Sequence, residues 1–301
     1  MRLSAVATSL ITVLIGPIGL ALQNPARVRV DVEMVVVRIS VTDPLNRYVI
    51  GLEEDHFRVF EGKVEQEIIH FSNDRSPVSV GIILDISGSM EDDILSARNS
   101  VVRFLEQGHD LDEYFLITFN DRTKMAYEFT SRRENIQSQI AIARPKGRTA
   151  LYDSVYLGLE KIREGTHDKK ALIVITDGED NRSRYTFSEV KQFAKESDVQ
   201  IYVIGERGKL GYGTGIITEI TRLTGGRPFF PNNFKQLDYF VDLIHTELRN
   251  QYVIGYEPSD KDPDGKWRRI KVRLAPPEGL PALTIRARQG SYAPRTKYSR
   301  P

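Results

Sequence analysis

The chain has 301 residues, a formal net charge of +1, 40% hydrophobic residues and no cysteine. So small a charge excludes recognition of nucleic acid through a broad basic field, and the absence of thiols excludes disulfides and thiolate metal sites. The apolar fraction suffices for a packed core, and the length fits one medium domain plus a smaller one or an extension.

Met1 and Arg2 make a short positive start, and residues 3–22 carry no charged side chain. The stretch contains Gly16-Pro17 and ends Gly19-Leu20-Ala21, with small residues at the two positions a signal peptidase reads. This predicts a signal peptide over residues 1–21 and a secreted or periplasmic mature protein. An uncleaved membrane anchor is the competing reading, because the apolar length is near the ~20 residues that span a bilayer. Ser, Thr, Gly and Pro within the stretch weaken a spanning helix. Membrane attachment therefore follows only if the segment is retained, and with no Cys a bacterial lipoprotein is excluded.

Residues 27–42 alternate apolar with polar over long stretches, the period of a half-buried strand. Asp43-Pro44-Leu45-Asn46 is a turn signal. Residues 48–52, 57–60 and 66–71 read as further short strands, with Glu61-Gly62-Lys63 as a hairpin turn. Residues 27–75 thus predict a β module of about four strands, too few to bury a core alone.

From residue 76 the pattern changes. An apolar strand over 78–84 precedes a helix over 91–107, in which Ile94, Ala97, Val101, Phe104 and Leu105 share one face. Strands over 114–119, 171–176, 200–205 and 228–230 alternate with helices over 132–142, 152–163, 187–196, 216–223 and 234–249. Such alternation over 76–250 predicts an α/β fold: a doubly wound, mainly parallel sheet covered by helices on both faces.

The β pattern returns over 251–256, 267–274 and 283–289, with Asp262-Pro263-Asp264-Gly265 as a turn. Residues 251–293 form a second β segment, and 294–301 a polar tail. One β-sandwich built from both β segments, with the α/β domain inserted between them, accounts for the pattern. Two small independent appendages would give it too.

The chemistry concentrates at three places. Asp85-Ile86-Ser87-Gly88-Ser89 follows the strand over 78–84, so an Asp and two Ser on alternate positions surround one point at a strand's carboxyl end. Open α/β sheets bind ligands there, and hard oxygen donors suit a small divalent cation. Thr149, in Gly147-Arg148-Thr149-Ala150, lies on a loop entering a helix, and Asp177, in Ile175-Thr176-Asp177-Gly178, ends another apolar strand. Each has a plain structural reading: Asp85 and the serines as turn or helix caps, Thr149 as a helix cap, Asp177-Gly178 as a turn. Their occurrence together, in this order within one α/β pattern, favours a common site.

The set resembles the metal-ion-dependent adhesion site of von Willebrand factor type A domains, found also in integrin inserted domains. The resemblance covers roughly residues 76–250, and the flanking segments resemble a bacterial group of secreted proteins related to that domain. It implies that Asp85, Ser87, Ser89, Thr149 and Asp177 hold Mg²⁺, or Mn²⁺ or Ca²⁺, with the aspartates acting partly through bound water. Neutral hydroxyl ligands leave such an ion electrophilic and open at one position, suited to a carboxylate. The implied partner is a protein presenting an Asp or Glu, and the aspartates would also orient the hydroxyls and waters. Arg148, Glu179 and Asp180 are candidates for the partner-binding rim, and Asp153 for ordering the Thr149 loop.

Enzymatic readings find less support. The Asp85 motif lacks the first Gly of a nucleophile elbow. His56, His70, His109, His167 and His245 sit in no motif that offers a base, and His-Glu-x-x-His is absent. Metal-assisted phosphoryl transfer would want more carboxylates and a positioned base. Residues 208–215, glycine-rich between a strand and a helix, match neither the dinucleotide nor the phosphate-loop pattern and read as a loop on the site face. An envelope scaffold with a purely structural ion is the remaining alternative to recognition.

Overall fold

The computed structural model describes residues 34–294 apart from 74, 210 and 212. The predicted signal peptide, the start of the first predicted strand and most of the polar tail lie outside the described residues. Among the described residues the first elements are β1 (Val35–Thr42), β2 (Phe57–Glu61), β3 (Val64–Gln66) and β4 (Ile68–Ser72). The α/β region runs β5 (Val78–Asp85), α1 (Ile94–Gln107), β6 (Glu113–Phe119), β7 (Thr123–Thr130), α2 (Arg133–Ala141), α3 (Leu151–Lys161), β8 (Lys169–Thr176), α4 (Phe187–Glu196) and β9 (Gln200–Gly205). It ends with α5 (Gly213–Thr224), β10 (Pro228–Phe229) and α6 (Leu237–Arg249), after which come β11 (Tyr252–Tyr256), β12 (Trp267–Leu274), β13 (Thr284–Ala287) and β14 (Gly290–Tyr292).

The first and last strands interleave. One sheet has the order β13-β1-β11-β4 and the other β14-β12-β2-β3, so each contains strands from both ends of the chain. They share one apolar cluster that includes Val37, Ile39, Phe57, Val59, Tyr252, Ile254 and Ile270. Neither end has enough strands to bury this cluster alone, which is why the two ends pair. Of the two arrangements open from the sequence, the interleaved one forms.

Four details depart from the pattern reading. Residues 48–52 form no strand, only an isolated bridge between Thr42 and Tyr48. Asp43 accepts the amides of Leu45 and Arg47, and Asn46 takes a positive φ of 59°, so the chain curls instead of extending. Residues 66–71 are not one strand: Gln66 pairs with β2, whereas Ile68 onward pairs with β11, so the chain changes sheet at Glu67. Residues 123–130, read as no element, form β7 antiparallel to β6. The last predicted strand, over 283–289, shortens to β13, and β14 follows beyond it in the other sheet.

The six-stranded sheet has the order β10-β9-β8-β5-β6-β7 and is parallel except for β7. All eight residues of β5 are buried, as expected of a strand covered on both faces. One face carries α1, α2 and α6 over Val80, Ile82, Leu84, Ile173 and Ile175. The other carries α3, α4 and α5 over Ile83, Phe115, Leu172 and Val174. From β5 the chain moves outward to β6 and β7, then returns to β5's other side as β8. The reversal opens a crevice at the carboxyl ends of β5 and β8, where doubly wound sheets bind their ligands.

Buried and half-buried polar bonds join the sandwich to the α/β region. Glu247 near the end of α6 accepts from Ser40 of β1 (2.9 Å), from Tyr48 (2.7 Å) and from Tyr202 of β9 (3.3 Å), with Arg286 of β13 also at 3.3 Å. Arg38 of β1 donates to both oxygens of Asp198 at 2.9 Å. Among the described residues no helix is long and apolar enough to cross a membrane.

Candidate functional site

Asp85 is the last residue of β5 and Thr176 the last of β8, and the two strands run in parallel register. Adjacent strand ends therefore bring both side chains into the crevice. Thr176 Oγ1 donates to Asp85 Oδ2 at 2.6 Å, and the Ser87 amide donates to Oδ1 at 2.7 Å. Asp85 is 0% exposed. Burial pushes its carboxyl up to about 6; the bonds from Thr176 and Ser87 act in the opposite direction, and the nearby charge of Asp177 adds to the rise. A buried carboxylate so placed favours a positive neighbour.

Beyond Asp85 the chain turns through a short 3-10 segment, Gly88–Glu91, before α1. The turn keeps Ser87 and Ser89 on the crevice side. Their hydroxyls lie 3.1 Å apart, and Ser89 Oγ donates to Asp177 Oδ1 at 2.7 Å. Asp177 directly follows β8 and is also 0% exposed. The two halves of the site are thus joined hydroxyl to carboxylate.

Thr149 arrives on the loop before α3. Gly88 N donates to Gly147 O, and Lys146 N to Ile86 O, both at 2.9 Å, so this loop and the Asp85 loop are bonded main chain to main chain. Gly147 has φ of +79°, and a Cβ there would fall 2.1 Å from Asp121 Oδ2, so any other residue would strain this turn. Asn181 holds the next turn: its Oδ1 accepts the Thr149 amide, and its own amide donates to Thr149 O, each at 3.0 Å. A Cβ built on Gly178 would lie 3.4 Å from Thr149 Oγ1 and 3.8 Å from Ser89 Oγ, which brings both hydroxyls over Gly178. Thr149 makes no helix cap; the N-cap position of α3 is Ala150.

The structure therefore brings Asp85, Ser87, Ser89, Thr149 and Asp177 to one place. The rim candidates diverge. Arg148 is exposed at the edge of the crevice. Glu179 turns its carboxylate to the Gly213 amide at the start of α5 (3.1 Å). Asp180 accepts from Tyr152 N (3.0 Å) and from both Ser183 N and Oγ. Asp153 accepts from Arg184 N and Tyr185 N, so it orders the loop after Asp177 and not the Thr149 loop. These three acids brace the loops that carry the site.

Two residues the motif reading passed over belong to the same surroundings. Thr176 orients Asp85; its signal is a polar residue closing an otherwise apolar strand. Lys209, in the glycine-rich loop after β9, places Nζ 3.4 Å from Asp177 Oδ2 and 2.8 Å from Asp93 Oδ2 and Glu206 Oε2. Partial burial works against its charge, but the bonds to Asp93 and Glu206 and the Asp177 charge outweigh it and hold the ammonium above the ordinary lysine value.

Among the described residues no three His, Cys, Asp or Glu side chains are grouped to hold a metal ion. An ion here would have two carboxylates, three hydroxyls and water as donors. These are hard oxygen donors, and they fit a small divalent cation such as Mg²⁺ or Mn²⁺. The ammonium of Lys209 beside Asp177 shows that this end of the crevice already accommodates positive charge.

A doubly wound α/β domain with hydroxyls and carboxylates converging at its switch point is the class that fold and site define. Residues 79–242, more than half of the chain, match the von Willebrand factor type A domain, and the chain belongs to that family. It is 29% identical over 188 residues to Cuticlin-6 of Caenorhabditis elegans, covering 59% of this chain and 32% of that protein. It thus spans about a third of the length of that curated relative. Among solved structures, a von Willebrand factor type A protein from Catenulispora acidiphila has a TM-score of 0.53 at 11% identity, over 90% of this chain and 76% of that one. Proximal thread matrix protein 1 from the mussel byssus, in a structure with a zinc-occupied MIDAS motif, has a TM-score of 0.52 at 17% identity, over 62% of this chain and 49% of that one. At these identities the likeness is one of fold.

Proposed function

We propose that this chain is a metal-dependent protein-recognition module. In this reading Asp85, Ser87, Ser89, Thr149 and Asp177 would hold Mg²⁺ or a similar divalent ion, which accepts an Asp or Glu of a partner protein. The observation that carries it is the run of contacts from Ser87 Oγ to Ser89 Oγ to Asp177 Oδ1, set beside the buried Asp85 carboxylate. Hydroxyls contribute no charge, so an ion held largely by them retains affinity for an external carboxylate. The zinc-occupied motif of the mussel thread matrix protein supports the same assignment.

The chain's own residues divide the work. Thr176 and the Ser87 amide hold both oxygens of Asp85 in place. Asn181 and Gly147 hold the Thr149 loop, and Arg148 at the exposed edge would attract an acidic partner. The role in this reading is binding without catalysis. The apolar segment over residues 3–22 supports export to the cell envelope or beyond it.

Titration calorimetry with Mg²⁺ and Mn²⁺ on wild type and Asp85→Ala tests the assignment. Binding near one equivalent, lost in a folded Asp85→Ala protein, is the expected result. Absence of binding by folded wild type, or binding unchanged in the variant, overturns it. The recognition role requires in addition that capture of an acidic partner stop in excess chelator.

A further inference from the structure

Lys209 is the one positive side chain that the crevice turns toward its carboxylates among those described above, and its position is built into the chain. It follows β9 by four residues, in a turn whose Lys209 amide donates to Glu206 O at 3.3 Å. Gly208 takes φ of +88° in that turn, with open space where a Cβ would be. The base of the loop is anchored by Arg207 N donating to Pro231 O at 2.7 Å. The ammonium then meets three carboxylates from three elements: Asp93 before α1, Asp177 after β8 and Glu206 after β9. Asp93 is the N-cap residue of α1 yet makes no side-chain cap bond, leaving its carboxylate to Lys209.

We propose that Lys209 is a tethered cation that competes with the divalent ion for Asp177, so that this loop sets the affinity of the site. The inference rests on the cation-site reading above and adds its regulation. Without an ion, two carboxylates buried within one crevice repel each other. The ammonium at Asp177 Oδ2 offsets that repulsion. With an ion bound at Asp177, the ammonium and the ion are like charges a few ångströms apart, in surroundings only partly screened by water. Binding therefore works against Lys209, which must swing onto Asp93 and Glu206 alone. Asp93 and Glu206 already hold the ammonium at 2.8 Å, closer than Asp177 at 3.4 Å, so it can stay paired with them as it draws away from Asp177. Lys209 is 40% exposed, which leaves room for it. The loop thus acts as a threshold: it protects the empty site and discourages occupancy at low ion concentration.

The test is Mg²⁺ and Mn²⁺ titration calorimetry on wild type, Lys209→Met, Lys209→Arg and Asp85→Ala, with thermal melts of each in chelator and in saturating ion. Lys209→Met should bind on the order of ten-fold more tightly, because one repelling charge is gone. Its melting temperature should fall below wild type in chelator, and the deficit should shrink in saturating ion. Lys209→Arg keeps the charge and should bind as wild type does. Equal or weaker binding by folded Lys209→Met, while Asp85→Ala abolishes binding, overturns the tethered-cation role and leaves the metal site standing. Absence of binding by folded wild type and folded Lys209→Met alike overturns both.

Discussion

Thr176 Oγ1 and Asp85 Oδ2 are 2.6 Å apart, a bond between the last residues of two neighbouring parallel strands, with neither side chain exposed. It holds the Asp85 carboxylate in one orientation while the Ser87 amide fixes the other oxygen. Thr176→Val keeps the shape and removes the donor. Loss of such an orienting partner lowers metal affinity by about 10- to 100-fold, and an unsatisfied buried acceptor costs about 1–3 kcal/mol. Calorimetry and urea unfolding on the same preparation check both numbers; wild-type affinity in Thr176→Val would refute the orienting role.

Gly147→Ala separates the Thr149 loop from the rest of the site. The new Cβ meets Asp121 Oδ2 at 2.1 Å, and the φ of +79° is one that alanine resists. Local strain of about 1–3 kcal/mol is expected, and with it a displaced Thr149. Ion affinity should drop well below wild type. The far-UV circular dichroism spectrum should not change, since the strain lies in a loop.

Glu247 is 0% exposed and accepts from Ser40, Tyr48 and Tyr202, with Arg286 beside it. Glu247→Ala leaves the Ser40 and Tyr202 hydroxyls without their acceptor and Arg286 without its counter-charge, and removing one partner of a buried pair costs about 3–5 kcal/mol. The variant should unfold at a clearly lower urea concentration. Because the network spans β1, β9, β13 and α6, the sandwich and the α/β region should lose stability together; two separated transitions with only one displaced would contradict this.

Gly81 lies in the middle of β5, where an added Cβ would come within 2.2 Å of Phe115 Cζ and 2.6 Å of Leu172 Cδ2. Overpacking of this kind costs about 1–3 kcal/mol. Gly81→Ala should lower the denaturation midpoint accordingly. Leu95→Ala, at a position 64% exposed on α1, should move it by no more than about 0.5 kcal/mol.

The sequence by itself determined the α/β alternation and the relative order of the five candidate residues. Continuous apolar runs such as 78–84 and amphipathic stretches such as 94–107 are local patterns, and Asp85, Ser87 and Ser89 stand on alternate positions of a single segment. It did not determine where residues 66–71 divide, because a period of two looks the same whether the strand stays in one sheet or passes to another; pairing with β2 and then β11 decided it. Nor did it show β7, whose half-buried pattern acquires a partner only in the antiparallel ladder with β6. Glu179 and Asp180 read as rim acids, and only the packing of α5 and α3 turned them to the amides of Gly213 and Tyr152. Thr176 and Asp85 are 91 residues apart, and Lys209 lies 32 residues beyond Asp177. Contacts over such separations depend on strand order and on how loops fold over strand ends, and neither is encoded in the spacing of residues along one segment.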